Sequence, residues 1–340
     1  MIGFAIVGTG AIARVHAQAM AALEKARLVG VFDTSRERCA AFAQQHGCKA
    51  YDSMESLLSD GEVAVVSICT PSGLHGPYGV MAANAKKHFI TEKPMAITRQ
   101  QLDEMIAAAE ENGVKAAVIV QKRFADCVVK LKRAIEEGRL GQIYSADCFM
   151  RYYRTEDYYS QNGGWRGTWA LDGGGALMNQ GIHGVDLVQY LMGGARSVVA
   201  HCRTMARPIE TEDHAYLLVE YENGAVGTIH SSTVCSPGLP CTVTICGEKG
   251  TVVLQEDAIV KWEVEGETWE PEKKTGVSAH RDPMAFPIEH HISQFADLIE
   301  AIEQDRQPVV DLYKGRRAVD IILAAYESSE LGGCKVQLKK

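Results

Sequence analysis

Lys93 is the side chain most plainly placed for chemistry. The run Phe89-Ile90-Thr91 is apolar and strand-like, and it stops abruptly at Glu92-Lys93-Pro94. In a fold of alternating strands and helices, such an ending puts an ammonium group at the carboxyl end of a parallel strand, where ligands collect. Taken alone, the lysine suits a phosphate ligand, a Schiff-base amine or an exposed helix leader. A second group lies in the stretch from Gly173-Gly174-Gly175 to Asp186: Asn179 and His183 are four residues apart, and Asp186 is three further on. A helix there would carry all three on one face, behind a triple glycine. A lone histidine on a helix is usually structural, but three polar groups on an otherwise apolar stripe favour chemistry. A third is the loop Asn162-Gly163-Gly164-Trp165-Arg166-Gly167. It is suited to covering a cofactor with its aromatic ring and meeting an anion with its arginine.

The start of the chain supplies a cofactor for these groups. Gly8-Thr9-Gly10-Ala11-Ile12-Ala13 follows the first strand pattern and opens the first helix pattern. It matches the dinucleotide fingerprint, whose glycines let pyrophosphate approach the free N–H groups of a helix start. That motif is weak by itself. Asp33 strengthens it, because it ends the second strand pattern 23 residues after Gly10, where a carboxylate accepts both ribose hydroxyls. Capping of the next helix is the competing role for Asp33, since Thr34-Ser35 follow. A carboxylate there repels a 2′-phosphate, so NAD is favoured, while Arg36 and Arg38 keep NADP open. The loop Cys69-Thr70-Pro71-Ser72-Gly73-Leu74-His75 should line the nicotinamide end, with His75 as a ligand contact or a bystander.

The elements that must hold these groups fall into two series. Strand patterns at 4–7, 28–32, 63–68, 89–91 and 116–120 alternate with helix patterns, which predicts a parallel sheet covered on both faces. After residue 121 a helix near 128–137 is followed by strands at 143–152, 197–205, 215–221, 225–232, 242–246, 251–254 and 259–264, with Asn223-Gly224 as a hairpin turn. Helices near 176–191, 288–303 and 312–329 complete an α+β domain with an open-faced, mostly antiparallel sheet. The expected division is a dinucleotide-binding domain over 1–123 and a substrate-binding, oligomer-forming domain over 124–340.

Composition narrows the class. With 340 residues, 46% of them apolar, the chain can bury a large core, and a net charge of −8 without a long basic run argues against nucleic acid. The ten cysteines contain no C-x-x-C pair, so they read as small buried hydrophobes in a reducing compartment, and no metal site is expected. No apolar run has membrane-spanning length and no leader pattern precedes the first strand, which predicts a soluble cytoplasmic protein.

With these residues assembled, the chain resembles the Gfo/Idh/MocA family of sugar and cyclitol oxidoreductases over essentially its whole length. The motifs that carry the resemblance are A-I-V-G-T-G-A-I-A at 5–13, T-P-S-G-L-H at 70–75, T-E-K-P-M-A at 91–96, the Trp165-Arg166 loop and G-G-G-A-L-M-N-Q-G-I-H-G-V-D at 173–186. The resemblance implies a Rossmann domain, a second domain whose sheet serves dimers or tetramers, and hydride transfer between nicotinamide and a carbinol carbon. Lys93 would touch the reacting hydroxyl and the nicotinamide ribose, and His183 would act beside the same hydroxyl as acid/base. The family often has Asp four residues before that histidine, although Asn is also common there. Asn179 cannot take a proton at neutral pH, so it orients rather than accepts.

The expected catalytic set is therefore Lys93, His183 and Asn179. The expected cofactor set is Gly8, Thr9, Gly10, Ala11, Ile12, Asp33, Thr34, Arg38, Thr70, Pro71, His75, Glu92, Lys93, Gln121, Trp165 and Arg166. The substrate, a sugar or polyol, should meet Lys93, Arg123, Arg151, Trp165, Asn179 and His183, with Arg154, His280 and Arg281 as further contributors. Two other readings share these residues: an enzyme that keeps its NAD while transiently oxidising and cleaving a glycoside, and a non-catalytic NAD sensor. Asp186 would fix the His183 ring or anchor the helix.

Overall fold

The computed structural model describes residues 1–270 and 288–338, so His280 and Arg281 lie outside the described residues. The chain divides into two compact units. The first contains β1 (Ile2–Val7), α1 (Ala11–Ala21), β2 (Ala26–Phe32), α2 (Arg36–His46), β3 (Lys49–Ala50), α3 (Met54–Ser59), β4 (Val65–Ile68), α4 (His75–Asn84), β5 (His88–Thr91), α5 (Arg99–Glu111) and β6 (Ala116–Val118). The strands form one parallel sheet in the order β3-β2-β1-β4-β5-β6. All of β4 and β6 is buried, as expected of a parallel sheet covered on both faces. Two of the helices, α2 and α5, begin at side-chain caps: Ser35 accepts from the Arg38 N–H and Thr98 from the Gln101 N–H. Gly47 ends α2 in the left-handed region, at a φ of 63°.

The second unit contains α6 (Asp126–Glu136), β7 (Ile143–Arg151), α7 (Glu156–Ser160), a π-helical turn (Ala176–Gly181), α8 (Ile182–Met192), β8 (Ala195–Arg203), β9 (His214–Tyr221), β10 (Val226–Ser232), β11 (Thr242–Gly247), β12 (Gly250–Gln255) and β13 (Ala258–Val264). The chain then forms α9 (Glu289–Glu303), α10 (Leu312–Glu330) and β14 (Val336–Gln337). The eight-stranded sheet runs β13-β12-β11-β7-β10-β9-β8-β14, and its neighbours are antiparallel except for β7 with β10. The hairpin at Asn223-Gly224 forms as its sequence predicts, with the Tyr221 N–H donating to Ala225 O at 2.8 Å.

Two features differ from the sequence expectation. Residues 288–316 belong to the first unit, although the sequence assigns everything past 123 to the second domain. The reason lies in packing: Phe295, Leu298 and Ile299 of α9 fill the same core as Phe4, Ile6 and Met20. An amphipathic pattern foretells a helix but not the sheet that receives it. The expected regular helix from 176 also starts as a wider π turn, which alters the spacing of Asn179 and His183. Among the described residues, no helix is long and apolar enough to cross a membrane.

Candidate active site

In the first unit the glycine loop is shaped for close approach. Gly8 has a φ of 94°, and a Cβ there would lie 2.6 Å from Cys69 O. A Cβ on Gly10 would meet nothing within 4 Å, and α1 starts with no side-chain cap, leaving its first N–H groups open beside Ala11 and Ile12. Asp33 is fastened to this loop: Oδ2 accepts from the Thr9 N–H at 2.9 Å and from Thr9 Oγ1 at 2.7 Å. Its Oδ1 accepts from the Ser35 N–H at 2.8 Å and from Arg38 Nη2 at 2.7 Å. Burial opposes the charge of Asp33, but these donors outweigh it and hold the carboxyl below its usual range. The residue that caps α2 is Ser35, while Asp33 braces the loop and Thr34 lies exposed beside it.

Lys93 lies two residues beyond the end of β5, after Glu92, and is half-buried. Its main-chain N–H donates to Glu92 Oε2 at 3.0 Å. Two residues expected to touch the cofactor are engaged by protein groups. His75 is buried between two loops, with Nδ1 2.6 Å from Pro94 O and Nε2 2.9 Å from Thr70 O, and a neutral ring donates to one of these carbonyl oxygens. Burial pushes its imidazole below the ordinary value. Glu92 is buried as well, and its Oε1 lies 3.0 Å from His16 Nε2. His16 was not singled out by sequence. The available signal was a histidine among the buried positions Ala13, Ala17 and Met20 of α1, a polar ring on an apolar face that must find a partner.

In the second unit the π turn is built by Glu212. Its buried carboxylate accepts from the Gly175 N–H at 3.0 Å, the Leu177 N–H at 2.7 Å and Tyr326 Oη at 3.0 Å. Burial pushes this carboxyl up to about 7, against the pull of those donors. Only glycine fits at 175, since a Cβ would lie 2.0 Å from Glu212 O. Asn179, on this turn, is tied on both sides of its amide. Nδ2 donates to Asp172 Oδ1 at 2.6 Å, and Oδ1 accepts from Gln180 Nε2 at 2.9 Å and Tyr158 Oη at 3.3 Å. Arg154 Nη2 in turn donates to Gln180 Oε1 at 2.8 Å. The Arg166 guanidinium lies over the rings of Tyr158 and Trp165, at 4.5 and 5.2 Å. Arg151 lies over Phe149 at 5.0 Å. His183 stands half-buried in the first turn of α8.

One residue expected to meet the substrate is held by the protein itself: Arg123 is buried, its Nε donates to Asp186 Oδ2 at 2.8 Å, and its Nη2 donates to the other carboxylate oxygen. The same pair engages Asp186, in line with the helix-anchoring role expected for it as an alternative to fixing the His183 ring. Opposite charges in a buried site find each other before they find solvent or ligand.

Residues 2–120 match the family model for an oxidoreductase family with an NAD-binding Rossmann fold, and residues 128–253 match the GFO/IDH/MocA C-terminal domain. The chain belongs to the Gfo/Idh/MocA family. Among solved structures, it is similar to the WlbA dehydrogenase from Bordetella pertussis in complex with NADH and UDP-GlcNAcA. The identity is 32%, the TM-score 0.89, and the match covers 100% of this chain and 99% of that one. A curated relative is glucose-6-phosphate 3-dehydrogenase of Bacillus subtilis, 29% identical over 72% of this chain and 71% of its own. Another is D-glucoside 3-dehydrogenase of Escherichia coli, 26% identical over 96% of this chain and 95% of its own. As a Gfo/Idh/MocA protein, the chain is an NAD(P)-dependent oxidoreductase.

The residues present fit that cofactor. Gly8 lets the loop turn close against Cys69, Gly10 faces open room that a side chain would fill, and two buried polar atoms of the first unit, Thr70 Oγ1 and Gln121 Oε1, have no protein partner. Both belong to the expected cofactor set, and such atoms are costly unless a ligand or water satisfies them.

Proposed function

We propose that this dehydrogenase oxidises a secondary hydroxyl of a sugar derivative that carries an anionic group. The observation that carries the reading is the chain of contacts from Asn179 through Gln180 to Arg154, with Arg151 and Arg166 stacked on neighbouring aromatic rings. It puts a guanidinium two hydrogen bonds from the residue four before His183. The anionic ligand of the similar Bordetella structure and the phosphorylated sugar named for the Bacillus relative support the same class.

The first unit holds the dinucleotide and the second the substrate. Gly8, Gly10 and the start of α1 take the pyrophosphate, Thr70 and Gln121 its nicotinamide half, and Asp33 the adenosine ribose, so NAD is used in preference to NADP. Bound nicotinamide supplies the hydride acceptor. Lys93 donates to the substrate oxygen and stabilises the alkoxide as it develops. His183 accepts the hydroxyl proton, a role suited to imidazole near neutral pH. Asn179, its amide fixed by Asp172, orients the sugar, and Trp165 packs against it. A second copy of the chain covers the open face of the eight-stranded sheet.

The test is a screen of NADH formation with uronic acids, sugar phosphates, nucleotide-linked sugars, neutral hexoses and inositols, each with NAD and NADP. Anionic sugars should give the highest kcat/KM, and Arg154→Met should raise KM for them about tenfold or more while largely sparing kcat, as loss of a charged hydrogen bond implies. Higher kcat/KM on neutral hexoses or inositols would overturn the substrate class. Cleavage of a glycoside without NADH accumulation would replace net oxidation by a retained-cofactor mechanism.

A further inference from the structure

The first unit contains a buried polar cluster that the proposed chemistry does not use directly. His16 from α1, Glu92 after β5 and His291 from α9 bring one ligand-type atom each to within 4.8 Å of one another. His16 Nε2 and Glu92 Oε1 are 3.0 Å apart, a hydrogen-bond distance, and His291 Nε2 lies 3.9 Å from the same oxygen. On its other side, His16 Nδ1 lies 2.8 Å from Ser67 Oγ and 3.2 Å from Cys69 Sγ, both able to donate. This arrangement fits a neutral His16 that donates to Glu92 from Nε2 and accepts at Nδ1. It suits a hydrogen-bonded brace better than a metal site, because the His16 nitrogen nearest the carboxylate already has a use and the ring packs edge-on against Phe295.

The second carboxylate oxygen of Glu92 does something different. It accepts the main-chain N–H of Lys93, while His75 grips Pro94 O from the opposite direction. We infer that Glu92 is a positioning residue: its carboxylate, braced by His16 and His291, holds the Lys93 main chain and thereby sets where the lysine leaves β5. The inference rests on the proposed role of Lys93 as the group that stabilises the alkoxide. Burial opposes ionisation of Glu92, but the hydrogen bond with His16 and the His291 ring close by outweigh it and hold the carboxyl well below the usual range. Burial keeps His16 itself below its ordinary value. The charged or titratable groups facing the carboxylate are His16 of α1, Cys69 after β4, His75 of α4, His291 of α9 and Lys93 itself. Removing the carboxylate charge should make a nearby ammonium easier to deprotonate, which the pH profile below tests.

Glu92→Gln removes that charge, and Glu92→Asp keeps it while shortening the reach to the Lys93 N–H. In the full-length enzyme with its best sugar, Glu92→Gln should lower kcat by about tenfold or more and move the basic limb of its pH profile to lower pH. NADH affinity, read by fluorescence titration, should change less than about threefold, since Glu92 is not a cofactor ligand on this account. Glu92→Asp should lower kcat with the limb in place. In a Lys93→Ala background, Glu92→Gln should cost nothing further, because residues that act through one another are not additive. Wild-type kcat and an unmoved pH limb in Glu92→Gln would overturn the inference, as would additive losses in the double variant. Stoichiometric metal in the purified wild-type enzyme would overturn the hydrogen-bonded brace. Full activity of Lys93→Ala would instead remove the role of Lys93 and leave the geometry of Glu92 standing, so the two failures are separable.

Discussion

The Arg123 and Asp186 pair shows how a residue suited to a ligand becomes a structural one. Both side chains are buried, the guanidinium meets the carboxylate through two nitrogens, and it also lies over the Tyr190 ring at 4.7 Å. Removing one partner of such a pair strands a charge in the interior and costs about 3–5 kcal/mol, whereas replacing both can be neutral. Arg123→Met should therefore destabilise the protein by that amount in urea unfolding, and Arg123→Met with Asp186→Leu should recover most of it. Substrate KM in the folded single variant should stay near wild type; a large rise would return Arg123 to the substrate site. At this scale the sequence was a good guide wherever local geometry decides. Gly8, Gly10 and Asp33 stand as the fingerprint implies, because a tight turn, a helix start and a strand end are all short-range features. It was silent on the protein partners of Arg123, Glu92 and His75, which lie 63, 76 and 19 residues away in the chain. No spacing rule reports such contacts, so the way these side chains are held could not be foreseen from motifs.

Element by element, the strands were legible because burial on one or both faces imposes its own period, but the π turn was not. Four-residue spacing of Asn179 and His183 reads as an α-helical face, and only the long-range arrival of Glu212 at Gly175 and Leu177 explains the wider turn. Its titration provides a test. The carboxyl moves from an ordinary 4.5 to about 7 in the folded protein, so the folded state binds more protons than the unfolded one between those values. Its contribution to stability is then fully present below about pH 4.5 and is lost as pH rises through about 7. Glu212→Gln cannot titrate. The stability of the wild type relative to this variant should fall from about pH 5 to about pH 8, by up to about 3 kcal/mol. Chemical unfolding of both proteins across that range measures the difference, and a gap independent of pH would mean that Glu212 stays ionised throughout. Because the turn carries Asn179, the same variant should also impair substrate KM.

For the molecule as a whole, the decisive surface is the outer face of the eight-stranded sheet. Along β9 the buried residues Ala215, Leu217, Val219 and Tyr221 alternate with Tyr216 and Leu218, which are 49% and 52% exposed. Tyr144 of β7 and Val226 of β10 are exposed as well, at 54% and 48%. Register places Leu218 opposite Val199 on one side and Thr228 on the other, and Val226 opposite Glu220, so the exposed apolar groups sit on neighbouring strands of one sheet. Isolated exposed hydrophobes need no explanation, but several on neighbouring strands of an open sheet fit the proposal that a second copy covers this face. A two-fold contact between identical faces would bring Leu218 close to its own counterpart or to Tyr216, so one charge per chain is repeated across the interface. If a second copy covers this face as proposed, the wild type should be oligomeric in light scattering at micromolar concentration and Leu218→Glu should be monomeric. Its circular dichroism should be unchanged, because the position is exposed and outside the core. NADH binding, which depends on the first unit, should persist in the monomer. A wild-type protein that is already monomeric under these conditions, or a Leu218→Glu variant that retains its mass, would show that something other than a second copy covers this face.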